Sequence, residues 1–318
     1  MLKEINSELI NKLNLYGSKM ESFFFIIDYK LKNFDIIKLN ELPKDILYEL
    51  NFNNSKKHNI NLEKKPIDFS RYKQSFIKIQ QHIEDGNSYL ANLTFCTPVK
   101  LQNSLLDIYN KANAKYKLYY KDKFVSFSPE KFIQIYDNHI YTYPMKGTID
   151  ASIEGAKDIL LNDKKEFAEH TMVVDLLRND IGQIANNIKV EKFRYIDKIK
   201  AGDKELLQVS SKISGKLEEN WQNRLGDIIT TLLPAGSITG TPKKKTVEIL
   251  KDIEDYNRGY FTGIFGVFDG QTLDSAVLIR FIEKIESNKY VYKSGGGITS
   301  DSNAKSEYNE MINKVYIP

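Results

Sequence analysis

Two-residue turn signals set between alternating apolar runs are what most limit the folds open to this chain. Residues 132–136 and 139–143 alternate around Asp137-Asn138, the pattern of a tight hairpin. Residues 260–268 and 275–285 read as a longer strand pair joined at Asp269-Gly270. Residues 89–96 alternate cleanly, with Tyr89, Ala91, Leu93 and Phe95 on one face and Leu90, Asn92, Thr94 and Cys96 on the other. Phe23–Ile27 reads as a buried strand, and 289–294 as another, ahead of a turn at Gly295, Gly296 and Gly297. Strands that arrive as hairpins, rather than alternating with helices, indicate an α+β fold with mainly antiparallel sheet.

Helical spacing fills the gaps. Ile5, Leu9, Ile10 and Leu13 predict a helix over 2–14. Tyr72, Phe76, Ile79 and Ile83 predict a second, ending near Gly86. A third runs over about 163–181, and a last over 303–314 with Ser302 as a candidate N-cap. Residues 51–66, rich in Asn and Lys, read as a surface loop. No stretch rich in Pro, Gly or Ser divides the 318 residues, and 41% hydrophobic content suffices for one large core. The expectation is a single catalytic domain over 1–318.

Composition excludes several classes of function. The net charge of +4, from 46 basic and 42 acidic residues, is too small to argue for nucleic acid and suits an anionic small substrate. No apolar run approaches the ~20 residues of a membrane span, and residues 1–20 carry Glu4 and Glu8 in place of a signal-peptide core. Cys96 is the single cysteine, so no intrachain disulfide forms and no Cys–His glutaminase centre is present. A cytoplasmic location is expected. His58, His82, His139 and His170 lack zinc-like spacing.

Four constellations could carry chemistry. Lys146, in Pro144-Met-Lys-Gly147-Thr148, follows a hairpin strand; Gly147 lets the backbone approach a ligand, and a desolvated lysine there could act as a nucleophile. Taken alone, a lysine in a surface turn is the commoner outcome. Glu166/Glu169 and Glu307/Glu310 are carboxylate pairs at i, i+3, each on one face of a predicted helix. Two such faces make a hard-oxygen site for Mg²⁺, although solvated helix faces give the same pattern. The loop from Gly236 to Lys243 lacks P-loop spacing, but its amides could hold a carboxylate while Thr241 caps a helix and Pro242 opens it. Arg280, read as lying inside an apolar strand, needs a partner: a bidentate substrate carboxylate or a structural acid.

The order of these motifs is more specific than any one of them. Ser128-Pro-Glu130, Pro-Met-Lys-Gly-Thr, Glu169-His-Thr-Met-Val-Val-Asp-Leu-Leu-Arg-Asn-Asp180, Gly-Ser-Ile-Thr-Gly-Thr-Pro-Lys, Arg258-Gly-Tyr-Phe-Thr-Gly263, Leu273-Asp-Ser-Ala-Val-Leu-Ile-Arg280 and Gly-Gly-Gly-Ile-Thr-Ser-Asp301 precede Glu307 and Glu310. Over about 70–318 this series resembles the chorismate-binding enzymes: anthranilate, aminodeoxychorismate, isochorismate and salicylate synthases. The resemblance implies two orthogonal antiparallel sheets flanked by helices, with the active site between them. Typical ammonia-using members have a longer N-terminal half that holds a tryptophan pocket. Here that part, about 1–69, is short, so no tryptophan regulation is expected.

Within the family the lysine of Pro-x-Lys-Gly-Thr marks members that make aminodeoxychorismate. The resemblance implies that Lys146 attacks C2 of chorismate and Glu130 protonates the leaving 4-hydroxyl. Ammonia then attacks C4 and releases Lys146, with retention of configuration. It implies Mg²⁺ on Glu169 and Glu310, supported through water by Glu166 and Glu307. Arg280 would grip the enolpyruvyl carboxylate, and Gly147, Thr148, Thr241, Gly295, Gly296 and Gly297 would line the substrate. Ammonia would come from a separate glutamine amidotransferase subunit, and the product would feed 4-aminobenzoate and folate synthesis. Gln208 stands where a histidine linked to pyruvate elimination is common, Leu90 where water-adding members carry lysine, and Phe261 where several members carry tyrosine. The first two departures favour amination without elimination. Rival readings are an anthranilate synthase large component and a non-enzymatic binding protein using Lys243, Lys244 and Lys245.

Overall fold

The computed structural model describes residues 6–51, 60, 62–201 and 204–318. These form two compact units, each gathered from three stretches of chain. The first unit takes Met1–Leu42, Glu130–Ser237 and Gly263–Val277; the second takes Pro43–Pro129, Ile238–Thr262 and Leu278–Pro318. The class is α+β, with one antiparallel sheet and flanking helices in each unit.

In the first unit the strand order is Met145–Asp150, Lys204–Lys216, His139–Thr142, Lys131–Tyr136, Leu273–Val277, Ile264–Phe268, Phe23–Ile27, Phe34–Lys38, and Asn186–Ala201 also pairs with Lys204–Lys216. Phe23–Ile27 is paired on both sides, with Ile264–Phe268 and Phe34–Lys38, and is wholly buried, as its unbroken apolar run requires. Each of those side chains contributes about 1.5–3 kcal/mol relative to exposure. The predicted hairpin is present, with Asp137 and Asn138 both at positive φ (49° and 54°), the backbone of a type I′ turn. The helix Lys164–Gly182 is capped by Asp163, whose carboxylate accepts from the Glu166 amide at 2.9 Å.

In the second unit the order is Gly240–Thr241, Leu90–Leu101, Lys289–Ile298, Phe281–Glu286, Phe124–Ser128, Tyr116–Tyr120, Ile46–Leu50. The face of Leu90–Leu101 that bears Ala91, Leu93 and Phe95 packs on Tyr72, Phe76 and Ile79 of the helix Phe69–Glu84, with Ile249, Leu250 and Met311 closing the core. That bears out the alternation read over 89–96 except at Tyr89, which precedes the strand and is exposed.

Four expectations are corrected. Part of the predicted 51–66 loop is strand, since Leu62–Lys64 pairs with Leu90–Leu101; residues 52–59 and 61 lie outside the described residues. The first helix spans Ser7–Ser18 with Asn6 as its cap, and residues 1–5 lie outside the described residues. The long strand over 275–285 is two strands: Leu273–Val277 ends in the first sheet, and Phe281–Glu286 begins in the second. Gly295, Gly296 and Gly297 are not a turn but the continuation of Lys289–Ile298, in register with Thr94, Leu93 and Asn92. The extended backbone there needs glycine for room: a Cβ on Gly295 would lie 2.2 Å from the Leu93 carbonyl oxygen.

Candidate active site

In the first unit, Gly147 interrupts the pairing of Met145–Asp150 with Lys204–Lys216. Lys146 faces Val209 and Thr148 faces Gln208, so Gly147 is the extra residue of a bulge, at φ +70°. The bulge places Lys146 and Thr148 on opposite faces of the sheet. The helix Lys164–Gly182 lies along this strand. Its Glu169 is 3.7 Å from Lys146 Nζ and 3.8 Å from Lys165 Nζ, with the Glu169 side chain 10% exposed and Lys146 20%. One turn earlier, Glu166 stands against Gly147, where a Cβ would come within 3.1 Å of Glu166 Oε2. The i, i+3 spacing thus sets one glutamate on the lysine and the other on the glycine. Thr148 itself is exposed.

His170, next to Glu169, is buried, and its Nε2 lies 2.6 Å from Ser211 Oγ. Burial, then the charges of Arg194 and Lys146, push its pKa down to about 4. A neutral ring therefore backs the helix. Glu130 sits where the chain enters the first unit. Its Oε1 accepts a hydrogen bond from Ser237 Oγ, and its carbonyl accepts from the Val277 amide. A cavity of about 20 Å³ lies beside it, lined by Glu130, Ser237, Asp180, Lys131 and Tyr143 among others.

In the second unit the helix Ala304–Asn313 carries the other glutamate pair. Asn303, not Ser302, is its N-cap, accepting from the amides of Lys305 and Ser306. Ser302 instead donates to Glu307 Oε1 at 2.9 Å, and Glu307 is buried. Glu310 is exposed and pairs with Lys314 at 2.6 Å; Lys314 also donates to the Gly295 carbonyl at 3.0 Å. A Cβ on Gly296 would sit 3.6, 3.7 and 3.8 Å from Glu307, Lys314 and Glu310. Gly297 continues the same strand, opposite Asn92.

Arg280 is not inside a strand. It lies between Val277 and Phe281 at φ +52°, half-buried, with its guanidinium 5.4 Å from the Tyr316 ring. Thr241 is not the cap of the next helix. It is the second residue of a short strand opposite Leu90, its carbonyl accepts from the Tyr89 amide and Ser88 Oγ, and Pro242 takes the cap position of Lys243–Ile253. Phe261 is buried against Phe281.

Two features of the second unit escape sequence reasoning. Lys314 is one lysine among many, marked only by following Glu310 at i+4. Arg258 belongs to a motif in the series, but nothing in its spacing discloses its role. It is buried, bonds both oxygens of Glu254 at 2.6 and 2.8 Å, and donates to the carbonyls of Asn92 and Ile238.

The donor chemistry suits Mg²⁺: hard carboxylate oxygens, two per unit, on helices laid against glycine. Among the described residues, three or more His, Cys, Asp or Glu side chains are nowhere grouped as a metal site. Glu169 and Glu310 are instead neutralised by lysine. No helix among the described residues is long and apolar enough to cross a membrane.

A protein of Haemophilus influenzae described as an uncharacterized PabA-like protein is 48% identical over 324 residues, covering all of this chain and 98% of its own. Aminodeoxychorismate synthase component 1 of Salmonella typhimurium is 30% identical over 260 residues, 77% of this chain and 56% of its own, so the chain spans little over half of that relative. Anthranilate synthase component I of Streptococcus pneumoniae shares the fold, with a TM-score of 0.66 at 24% identity over 81% of this chain and 59% of that one. MenF, the menaquinone-specific isochorismate synthase of Escherichia coli, does so at 0.65 and 18%, over 81% and 61%. Residues 33–318 match the chorismate binding enzyme family from end to end of both glutamate helices, and the chain belongs to that family.

Proposed function

We propose that the chain aminates chorismate at C4 to give 4-amino-4-deoxychorismate, as an aminodeoxychorismate synthase component I. The observation that carries this reading is Lys146: it stands on a bulged strand with its ammonium 3.7 Å from Glu169 and mostly shielded from water, in the same unit as Glu130. Relatives named aminodeoxychorismate synthase component 1 in Salmonella typhimurium and Bacillus subtilis support it at 30% and 28% identity.

In the proposed reaction, the Lys146 ammonium first gives up a proton to solvent and then attacks C2 as the free amine. Both ring double bonds shift, C1=C2 to C1=C6 and C5=C6 to C4=C5, the C4–O bond breaks, and Glu130 gives its proton to the departing hydroxyl, which leaves as water. Ammonia then attacks C4, both double bonds shift back, the C2–N bond breaks, Lys146 is released, and Glu130 regains its proton from the new ammonium. Hydroxide leaves poorly, so splitting the exchange into two acid-assisted displacements lowers each barrier. Glu169 and Glu310 would hold Mg²⁺, with Glu166 and Glu307 behind them; when bound, it supplies positive charge for the ring carboxylate. Arg280 would pair with the enolpyruvyl carboxylate. Thr148, Thr241 and the strand glycines would border the substrate, and a glutamine amidotransferase subunit would supply ammonia.

A second reading has its own support. Anthranilate synthase component 1 of Mycobacterium tuberculosis is 33% identical over 199 residues. Mass spectrometry of products from purified protein, chorismate, Mg²⁺ and an ammonium salt separates the two. Aminodeoxychorismate that disappears in Lys146→Ala sustains the proposal; anthranilate from the unaltered protein overturns it.

A further inference from the structure

The Gly-Ser-Ile-Thr-Gly loop suggests an anion cradle by sequence, yet in the first unit its serine turns to a carboxylate of the protein itself. Ser237, in the short 3₁₀ turn Gly236–Ile238, donates its hydroxyl to Glu130 Oε1. We infer that Ser237 is a positioning residue for Glu130: it fixes one oxygen of the carboxyl that carries and delivers the proton. This rests on the proposed role of Glu130 as the general acid.

Three observations point the same way. Ser237 and Glu130 are 107 residues apart, so the contact belongs to the tertiary fold and is not a local turn bond. Both line a cavity of about 20 Å³, which holds one water and no more. The carboxyl therefore meets very little solvent on that side. The Glu130 backbone is held as well, by the Val277 amide at 3.2 Å. The other titratable groups facing this cavity are Asp180 from the helix Lys164–Gly182, Lys131 from the strand that follows Glu130, and Tyr143 beyond the hairpin; Lys131 Nζ lies 4.5 Å from the centre of the Tyr143 ring. A hydroxyl that donates to a carboxylate favours its charged form, so Ser237 contributes both to the direction of Glu130 and to the pH range over which it keeps its proton.

The test compares Ser237→Ala and Ser237→Thr with the unaltered protein. Losing the donor raises the pH at which Glu130 gives up its proton and removes one restraint on the carboxyl. In Ser237→Ala, kcat for amination should fall about 10-fold with KM kept, and the alkaline limb of its pH profile should move up by about one unit. Ser237→Thr, which keeps a hydroxyl, should restore both. In parallel, the Glu130 carboxyl is titrated by carbon-13 NMR of glutamate-labelled protein, assigned by its absence in Glu130→Gln. Its midpoint should rise in Ser237→Ala and return in Ser237→Thr. Unaltered midpoint and limb in Ser237→Ala would overturn the assignment. If the unaltered protein yields no aminated product, the reading of the reaction fails, while the NMR titration still decides the Ser237 contact.

Discussion

The two units use one device twice, with different tightness. Each lays an i, i+3 glutamate pair on a helix against a glycine-bearing sheet strand: Glu166 beside Gly147 with Glu169 beside Lys146, and Glu307 and Glu310 beside Gly296. Each also supplies a lysine. In the second unit the ammonium of Lys314 is 2.6 Å from Glu310 and bonds a strand carbonyl as well. In the first, Lys146 comes from the strand and stands 3.7 Å from Glu169, beyond hydrogen-bond length. A short, doubly anchored ammonium is a fixed charge. A loosely paired one on a bulge can leave its partner and move to a substrate, as a nucleophile must.

The largest expected effect tests that contrast directly. Lys146→Ala should lower kcat by about 10³-fold or more, because the covalent route is lost. Lys314→Ala should mainly raise KM, by about 10-fold, because a fixed charge acts on bound substrate and transition state alike. Steady-state kinetics on chorismate with ammonium as the amine donor measures both. If the two variants show the same split between kcat and KM, the lysines do not differ in kind.

How much of this was legible depends on how local each signal is. The Asp137-Asn138 hairpin, the buried strand Phe23–Ile27 and the capped helix over the Glu166/Glu169 pair follow from residues within one turn or one alternation. The glycine run misled, because glycine marks turns and close backbone approaches equally, and only the facing Leu93 carbonyl separates the two. Arg280 misled for a related reason: its apolar neighbours belong to two different sheets, and the break between them sits at the arginine. Lys314 gave only the weak signal of following Glu310 at i+4, and Ser237 gave none, since the Gly295 carbonyl and the Glu130 carboxylate they bond lie on distant segments.

The tight pairing of the second unit extends to Arg258 and Glu254, both nearly inaccessible, at 2.6 Å. Arg258→Ala leaves a buried carboxylate uncompensated and should cost about 3–5 kcal/mol, read from urea unfolding. Lys146→Ala opens a longer pair and leaves Lys165 beside Glu169, so it should cost less, under about 1 kcal/mol. Equal losses would mean that the looseness of the Lys146 pair says nothing about its use.

Acid should weaken the first unit through His170. Its folded pKa, about 4, lies below the ordinary value of 6.5, so the unfolded chain binds the extra proton between those limits. Stability from this group is complete above pH 6.5 and is lost as pH falls toward 4, by up to about 3 kcal/mol. His170→Gln should keep a polar partner for Ser211 and show a shallower fall between pH 7 and 4.5 than the unaltered protein. Parallel slopes in urea unfolding would remove His170 from the account.

The smallest effects separate the two glycines. At Gly147 the backbone is left-handed, and a methyl group would press on Leu160 at 3.0 Å and Glu166 at 3.1 Å. Gly147→Ala should cost about 1–2 kcal/mol and tilt Lys146 out of register, lowering kcat further than stability alone explains. At Gly296 no positive φ is present, and the nearest atoms are 3.6–3.8 Å away, ordinary contact distances. Gly296→Ala should therefore leave stability within about 0.5 kcal/mol. It would still fill space beside both glutamates and Lys314, so its mark should be a higher KM. A stable Gly296→Ala protein with unaltered KM would mean that this glycine serves the sheet alone, and that only the first unit uses its glycine to place a reacting side chain.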